Sequence, residues 1–401
     1  MYKLMQKAHF NKLQIIVLMA TLVILGVSAI DIYIAALPQM VSEFNTVADT
    51  VNLTISAYTL GIAIGVLFIG EFSNRFGRRK IILSGIVCFA LSSFLVATSS
   101  SIYCIILLRL IQALGCSSFI IIPRMIIRDT MNEKEQINAN GTLLLGMIIS
   151  PAIAPVIGAY ISQYFGWRYC FIFSTVIGVI MTGIIYKCLP ETNSSPIKKL
   201  ATIKQYLTVY QQLFSNISFI ALTVIYAATV GAYFAFLGIS SYLYIDYWHL
   251  SPVNFSYIYV LLAVAYFTGN YIMRVLNRKG FSPAKIIGVG VYSAFIGIVV
   301  IAGANLLSGI YLLIMVTLGV IFMRAANAII IPPTQIRIMS NSAPHSAQAL
   351  GLNMCIGFTC NSLATYGVTL LKFAPLNNLM IISIIPILIS ALFYLRFNKV
   401  L

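Results

Sequence analysis

The sequence predicts an all-α integral membrane protein of about twelve transmembrane helices, arranged as two pseudo-symmetric halves of six. Three observations predict it. Apolar runs long enough to cross ~30 Å of hydrocarbon, about 20 residues each, recur along the whole chain. Charged residues make up 8% of the 401 and hydrophobic residues 60%, whereas a water-facing protein carries roughly 25% charged residues. Short patterns also return about half a chain apart. Ile120 to Pro123, leading into Ile127-Arg128, reappears as Ile329 to Pro332 leading into Ile336-Arg337. Ile102-Tyr103 returns as Ile310-Tyr311, and Asn74 to Gly77 as Asn277 to Gly280. Transporters are often built from such repeats, with the substrate site near the midplane where the repeats meet.

The elements follow in order. The first span, 13–37, comes after Lys3, Lys7 and Lys12, and carries Asp31 as its one charge. A basic start and an apolar run resemble a signal peptide. This run is too long for one and lacks a small-residue cleavage site, so it is read as a retained span. Spans 51–71 and 81–99 flank the basic cluster Arg75 to Lys80, and 102–124 carries Arg109. Span 139–161 holds Pro151, Pro155 and Gly158, and 169–189 completes the first half. The longest polar stretch, around 190–215, is a connector. The expected division is therefore a six-helix bundle over 1–190, a cytoplasmic linker over 191–215 and a second bundle over 216–401. Spans 217–243, 254–275, 284–304, 308–331, 347–370 and 375–395 make up that second half.

The net charge of +16 would suggest nucleic acid for a soluble protein, but its distribution argues for topology. With the amino terminus inside and sides alternating, 22 of the 25 basic residues fall on or near the cytoplasmic side. They include Lys187 to Lys204, Arg274 to Lys285, Arg324, Arg337, Arg396 and Lys399. This is the positive-inside bias, and it favours an even number of spans with both termini in the cytoplasm. The seven cysteines form no CxxC pair and the three histidines stand far apart, so neither a disulfide framework nor a metal site is expected. No cofactor is expected either. The expected partners are a small-molecule substrate, protons and the lipid bilayer, with no nucleic acid, for a monomeric chain.

A carboxylate at membrane depth costs about 2.5–3.5 kcal/mol on insertion scales, which marks Asp31 as a functional candidate. Asp31 lies about six residues from the outer end of its span and Arg109 about seven residues into the fourth, so both sit ~10 Å below the outer surface at 1.5 Å per residue. Opposite charges at one depth can pair, and a change in their separation or hydration would move the carboxyl pKa. Asp31 is thus the expected proton site with Arg109 its modulator; a fixed structural ion pair is the alternative. Tyr33, Tyr58, Tyr233 and Tyr266 are deep enough to line a cavity and stack on flat or cationic substrates, although most aromatics in a bundle simply pack. Tyr244, Tyr247 and Trp248 are expected in the interfacial belt. Pro151, Pro155 and Gly158 permit kinking and close helix approach.

Several segments resemble the major facilitator superfamily. Gly70-Glu-Phe-Ser-Asn74-Arg75-Phe-Gly77-Arg78-Arg79-Lys80 resembles its gating-loop signature, and Arg109-Leu-Ile-Gln112-Ala-Leu-Gly115 its fourth-helix arginine motif. Pro151-Ala-Ile-Ala-Pro155-Val-Ile-Gly158, followed by Gly166-Trp167-Arg168, is similar to its fifth-helix antiporter motif. Asp31 to Pro38, Leu53 to Tyr58 and Arg124 to Asp129 are similar to the Bcr/CflA group of drug-resistance transporters. The likeness is strong over 31–170 and weak beyond. It implies a proton-coupled exporter of small amphipathic molecules rather than an enzyme, with 75–80 as a gate as well as a lipid-facing charge cluster. Three positions depart from the pattern. Asn74 replaces an Asp, implying a weaker latch. Ala35 replaces a Pro, implying a straighter outer end to the first helix. Ala159 replaces a Gly, bringing close packing there into question. An importer using the same pair, and a non-transporting receptor or scaffold, are the rival readings.

Overall fold

Asn11 opens the first helix. Its side chain accepts the Gln14 backbone N–H at 2.9 Å, while the Gln14 side chain accepts the Asn11 N–H at 2.8 Å. This reciprocal cap satisfies donors that a helix start leaves free. From there the computed structural model, which describes residues 11–193, 196, 203–343 and 345–398, is helical almost throughout. Lys3, Lys7, Lys399 and part of the 187–204 basic stretch lie outside the described residues.

The helices are α1 (Lys12–Asp31), α2 (Leu37–Glu43), α3 (Ala48–Phe76), α4 (Arg78–Thr98), α5 (Ile102–Thr130), α6 (Glu133–Tyr164) and α7 (Arg168–Cys188). They continue with α8 (Ile203–Phe214), α9 (Ile217–Ser241), α10 (Pro252–Arg278), α11 (Pro283–Ala304), α12 (Gly309–Asn341), α13 (Ser346–Leu370) and α14 (Pro375–Phe397). Local chemistry sets several starts. Asn132 and Glu135 cap α6 reciprocally, and Ser251-Pro252 and Ser282-Pro283 place a capping hydroxyl ahead of a proline at the first helical position. Among the described residues, eleven segments are long and apolar enough to cross a membrane. α13, the remaining long helix, is more polar, with Gln348, Asn353 and Asn361 along it.

The chain divides into two compact units, Met1–Thr46 with Ala57–Ala201, and Val47–Ser56 with Thr202–Leu401. In the first, α4 packs on α5 and α7, and α1 packs on α6 and α5; in the second, α11 packs on α12 and α14, and α9 on α13 and α12. The pairing scheme is the same, as expected for one six-helix template used twice. Small residues allow the tightest of these approaches: Gly85 meets Gly115 between α4 and α5, and Gly297 meets Gly319 between α11 and α12. The corresponding joints also match, with Gly77 at φ 98° and Gly280 at φ 79°, a left-handed conformation that glycine adopts without steric penalty. The first turns of α3 belong with the second unit, where the Asn52 amide donates to the Gly238 carbonyl at 2.7 Å and the Ser56 and Ser362 hydroxyls each donate to the other's carbonyl.

The structure corrects four expectations. The outer end of the first span is not straightened by Ala35: α1 stops at Asp31, and the chain passes through a single 3-10 turn at Ile34–Ala36 before α2. The 190–215 connector contains α8, which lays Leu213 and Val209 against Phe219, Leu222 and Ile225. Tyr244 is no belt residue; it is fully buried and hydrogen-bonded to Thr317 at 2.8 Å. Arg324, grouped above with the cytoplasmic charges, lies fifteen residues into the 33-residue α12, near its middle.

Candidate functional site

Arg109 projects from α5 into the core of the first unit and has no solvent exposure. Three aromatic rings enclose its guanidinium. The Tyr58 ring centroid is 4.1 Å away, Tyr33 4.7 Å and Phe171 5.6 Å, so α3, the turn after α1 and α7 each contribute a wall. Nη1 donates to the Gln112 side chain at 2.6 Å, and the Gln112 amide donates in turn to Ser93 Oγ at 2.6 Å. The Tyr58 hydroxyl donates to the Gly26 carbonyl at 3.0 Å, which fixes the ring nearest the cation. A buried charge is expensive unless paired or stacked, and cation–π attraction strengthens to ~2 kcal/mol or more once water is removed.

Asp31 is the last residue of α1, two positions before Tyr33, and is 6% exposed. The reason α1 can break here is visible on α6. Any side chain at Gly158 would strike the Ile32 carbonyl, so the bare glycine lets α6 reach the backbone next to Asp31. Further along, Ser150 donates to the Ile24 carbonyl at 3.3 Å, and Gly146 packs against Ile24. Pro151 and Pro155 lie between these contacts inside α6. The Pro/Gly stretch is thus the surface that seats the Asp31 end of α1. Ala159 is fully buried in the same region.

The basic cluster is less a loop than a joint, since only Gly77 separates α3 from α4. Arg78 is buried; its Nε pairs with Asp129 at 3.0 Å and its Nη1 donates to Ser73 Oγ and to the Asn74 side chain, each at 2.7 Å. The charged partner of Arg78 is therefore on α5, and Asn74 supplies a neutral acceptor. Glu191, just past α7, accepts the backbone N–H groups of Arg78 at 2.8 Å and Arg79 at 3.2 Å, placing a carboxylate at the positive end of α4. A Cβ at Gly77 would collide with that carboxylate. Arg75, Arg79 and Lys80 line a cleft here with Glu191 and Asn193, and Gly70 lies two turns back on α3.

Sequence reasoning singled out Arg109, Tyr33 and Tyr58, and the structure brings them into one cluster. It did not find Glu191, whose only signal is that an acid follows the sixth span directly. It also missed Glu43, which accepts from the Trp167 indole at 2.6 Å and pairs with Arg168. In the second unit Tyr233 and Tyr266 come together around Arg324, at 4.3 and 4.6 Å.

Residues 16–365 match the Major Facilitator Superfamily. The chain belongs to that superfamily. It is accordingly a multi-pass membrane transporter and not an enzyme. Its relatives in the superfamily include a chloramphenicol resistance protein of Pseudomonas aeruginosa, 28% identical over 73% of this chain and 67% of the relative. Multidrug resistance protein D of Escherichia coli is 28% identical over 67% of each chain. A bicyclomycin resistance protein homologue of Haemophilus influenzae is 24% identical over 63% of each. These matches span about two thirds of the relatives' own length and uphold the resemblance to Bcr/CflA-type transporters. Solved folds agree. A bacterial homologue of the human lysosomal transporter Spinster superposes with a TM-score of 0.77 at 15% identity, covering 97% of this chain and 98% of that one. A D-xylose–proton symporter gives 0.69 at 15% identity over 95% and 96%.

Proposed function

We propose that this superfamily member is a proton-coupled exporter of small amphipathic molecules, working as a monomer by alternating access in a bacterial inner membrane. The observation that carries the reading is the placement of Asp31. It is a buried carboxyl at a break in α1, seated by the Pro/Gly face of α6 and two residues from a tyrosine stacked on a buried arginine. Protonation changes the charge at that break. A conformational change that alters hydration around a buried carboxyl changes its hold on a proton, because water stabilises the charged form. The direction of transport rests on the relatives' names, which speak of resistance to chloramphenicol and to multiple drugs.

Inside-out vesicles with an imposed pH gradient test the reading. Accumulation of chloramphenicol that collapses with the gradient supports export, and Asp31→Asn is expected to abolish it in a protein that still folds. Uphill accumulation by Asp31→Asn would remove that residue from the coupling step. Accumulation only in right-side-out vesicles would make the protein an importer.

A further inference from the structure

The second unit carries a cation, Arg324, that no carboxylate among the described residues neutralises. Arg324 lies about 22 Å along α12 from its start at 1.5 Å per residue, at a depth where a charge is costly. The second unit, 47–56 with 202–401, contains two carboxylates, Asp49 and Asp246. Asp246 sits beyond the end of α9, thirteen residues past Tyr233, and Asp49 in the first turn of α3. Among the described residues, no carboxylate pairs with Arg324 and no hydrogen bond from its guanidinium is found.

Its surroundings are ordered nonetheless. Tyr233 and Tyr266 hold the guanidinium carbon at 4.3 and 4.6 Å from their ring centroids. Stacking of this kind occupies the faces of a planar cation and leaves its edge, where all five N–H donors point. One turn along, on the same face of α12, Asn327 is 1% exposed with neither its amide nitrogen nor its oxygen hydrogen-bonded. The contrast with the first unit is instructive. Arg109 is sealed by three rings and a glutamine, whereas Arg324 is only half-buried and its edge is uncommitted.

We propose that Arg324, with Tyr233, Tyr266 and Asn327, is the recognition site for the anionic group of an aromatic carboxylate. The carboxylate takes the guanidinium edge in the two-pronged geometry that arginine favours, the tyrosines hold the cation flat and meet the ligand's ring, and the Asn327 amide lies within the same helical face. The cargo of this transporter then includes anionic or zwitterionic aromatic compounds. The inference rests on the transport reading above, but binding tests it separately.

Calorimetry on the purified full chain in nanodiscs compares 1-naphthoate with its neutral isostere 1-naphthamide. We expect the acid to bind at least tenfold more tightly, Arg324→Gln to erase that preference and Arg324→Lys to keep only part of it. Equal affinity for acid and amide in the unaltered protein, or no measurable binding of the acid, overturns the proposal without any variant. So does an Arg324→Gln protein that still prefers the acid. Should the preference be present while vesicles move no compound, the transport reading fails and the anion site stands. Should vesicles move chloramphenicol without any acid preference, the anion site alone fails.

Discussion

At Arg109 a charged side chain is treated as part of the core, and its neighbours explain why a lysine would not substitute. The guanidinium is flat, so Tyr58 and Tyr33 stack on it while its edge donates to Gln112; an ammonium offers the charge without the plane. Arg109→Ala is expected to lower stability by on the order of 3 kcal/mol, the scale of emptying a packed site, with Arg109→Lys intermediate. Thermal unfolding in detergent checks this, and a lysine variant as stable as the parent would show that stacking contributes little. The residue types at this site were legible in the sequence because a charge in an apolar span stands out. The partners of Arg109 were legible only in part. Tyr33 and Tyr58 were expected to line a cavity; they are fully buried and spend their faces on the arginine.

At the scale of elements, two contacts position α1 and α4. Gly158→Leu would drive a side chain into the Ile32 carbonyl. It is expected to destabilise by about 1–3 kcal/mol, as overpacking does, and to impair transport more than stability, because the displaced backbone carries Asp31. Transport rate set against unfolding temperature separates those effects. Glu191→Ala removes the acceptor for two N–H groups at the start of α4 and should cost about 1 kcal/mol, a typical loss for a cap. Glu191→Gln keeps an acceptor and should lose less. Denaturation of the two variants side by side checks the order. The glycine and proline pattern of α6 announced a close approach, but not what it approached. The cap by Glu191 joins residues more than a hundred positions apart, and no local pattern encodes that.

For the whole molecule, the twelve long helices among the described residues and the basic-residue bias call for both termini on the cytoplasmic side. Affinity tags at each end are expected to resist protease in spheroplasts and to be cleaved in inside-out vesicles; one tag cleaved in each preparation would require an odd number of crossings. The number of spans and the half-chain repeat were legible in the chain by itself, because a bilayer imposes a length and a polarity on each segment before any tertiary contact forms. Which aromatic meets which cation was decided only by packing. Helices of near-uniform hydrophobicity carry little record of the face each turns to its neighbour. Thus Tyr244 proved to be core, and Arg324, counted among the charges at the membrane edge, turned out to stand at mid-helix between two tyrosines.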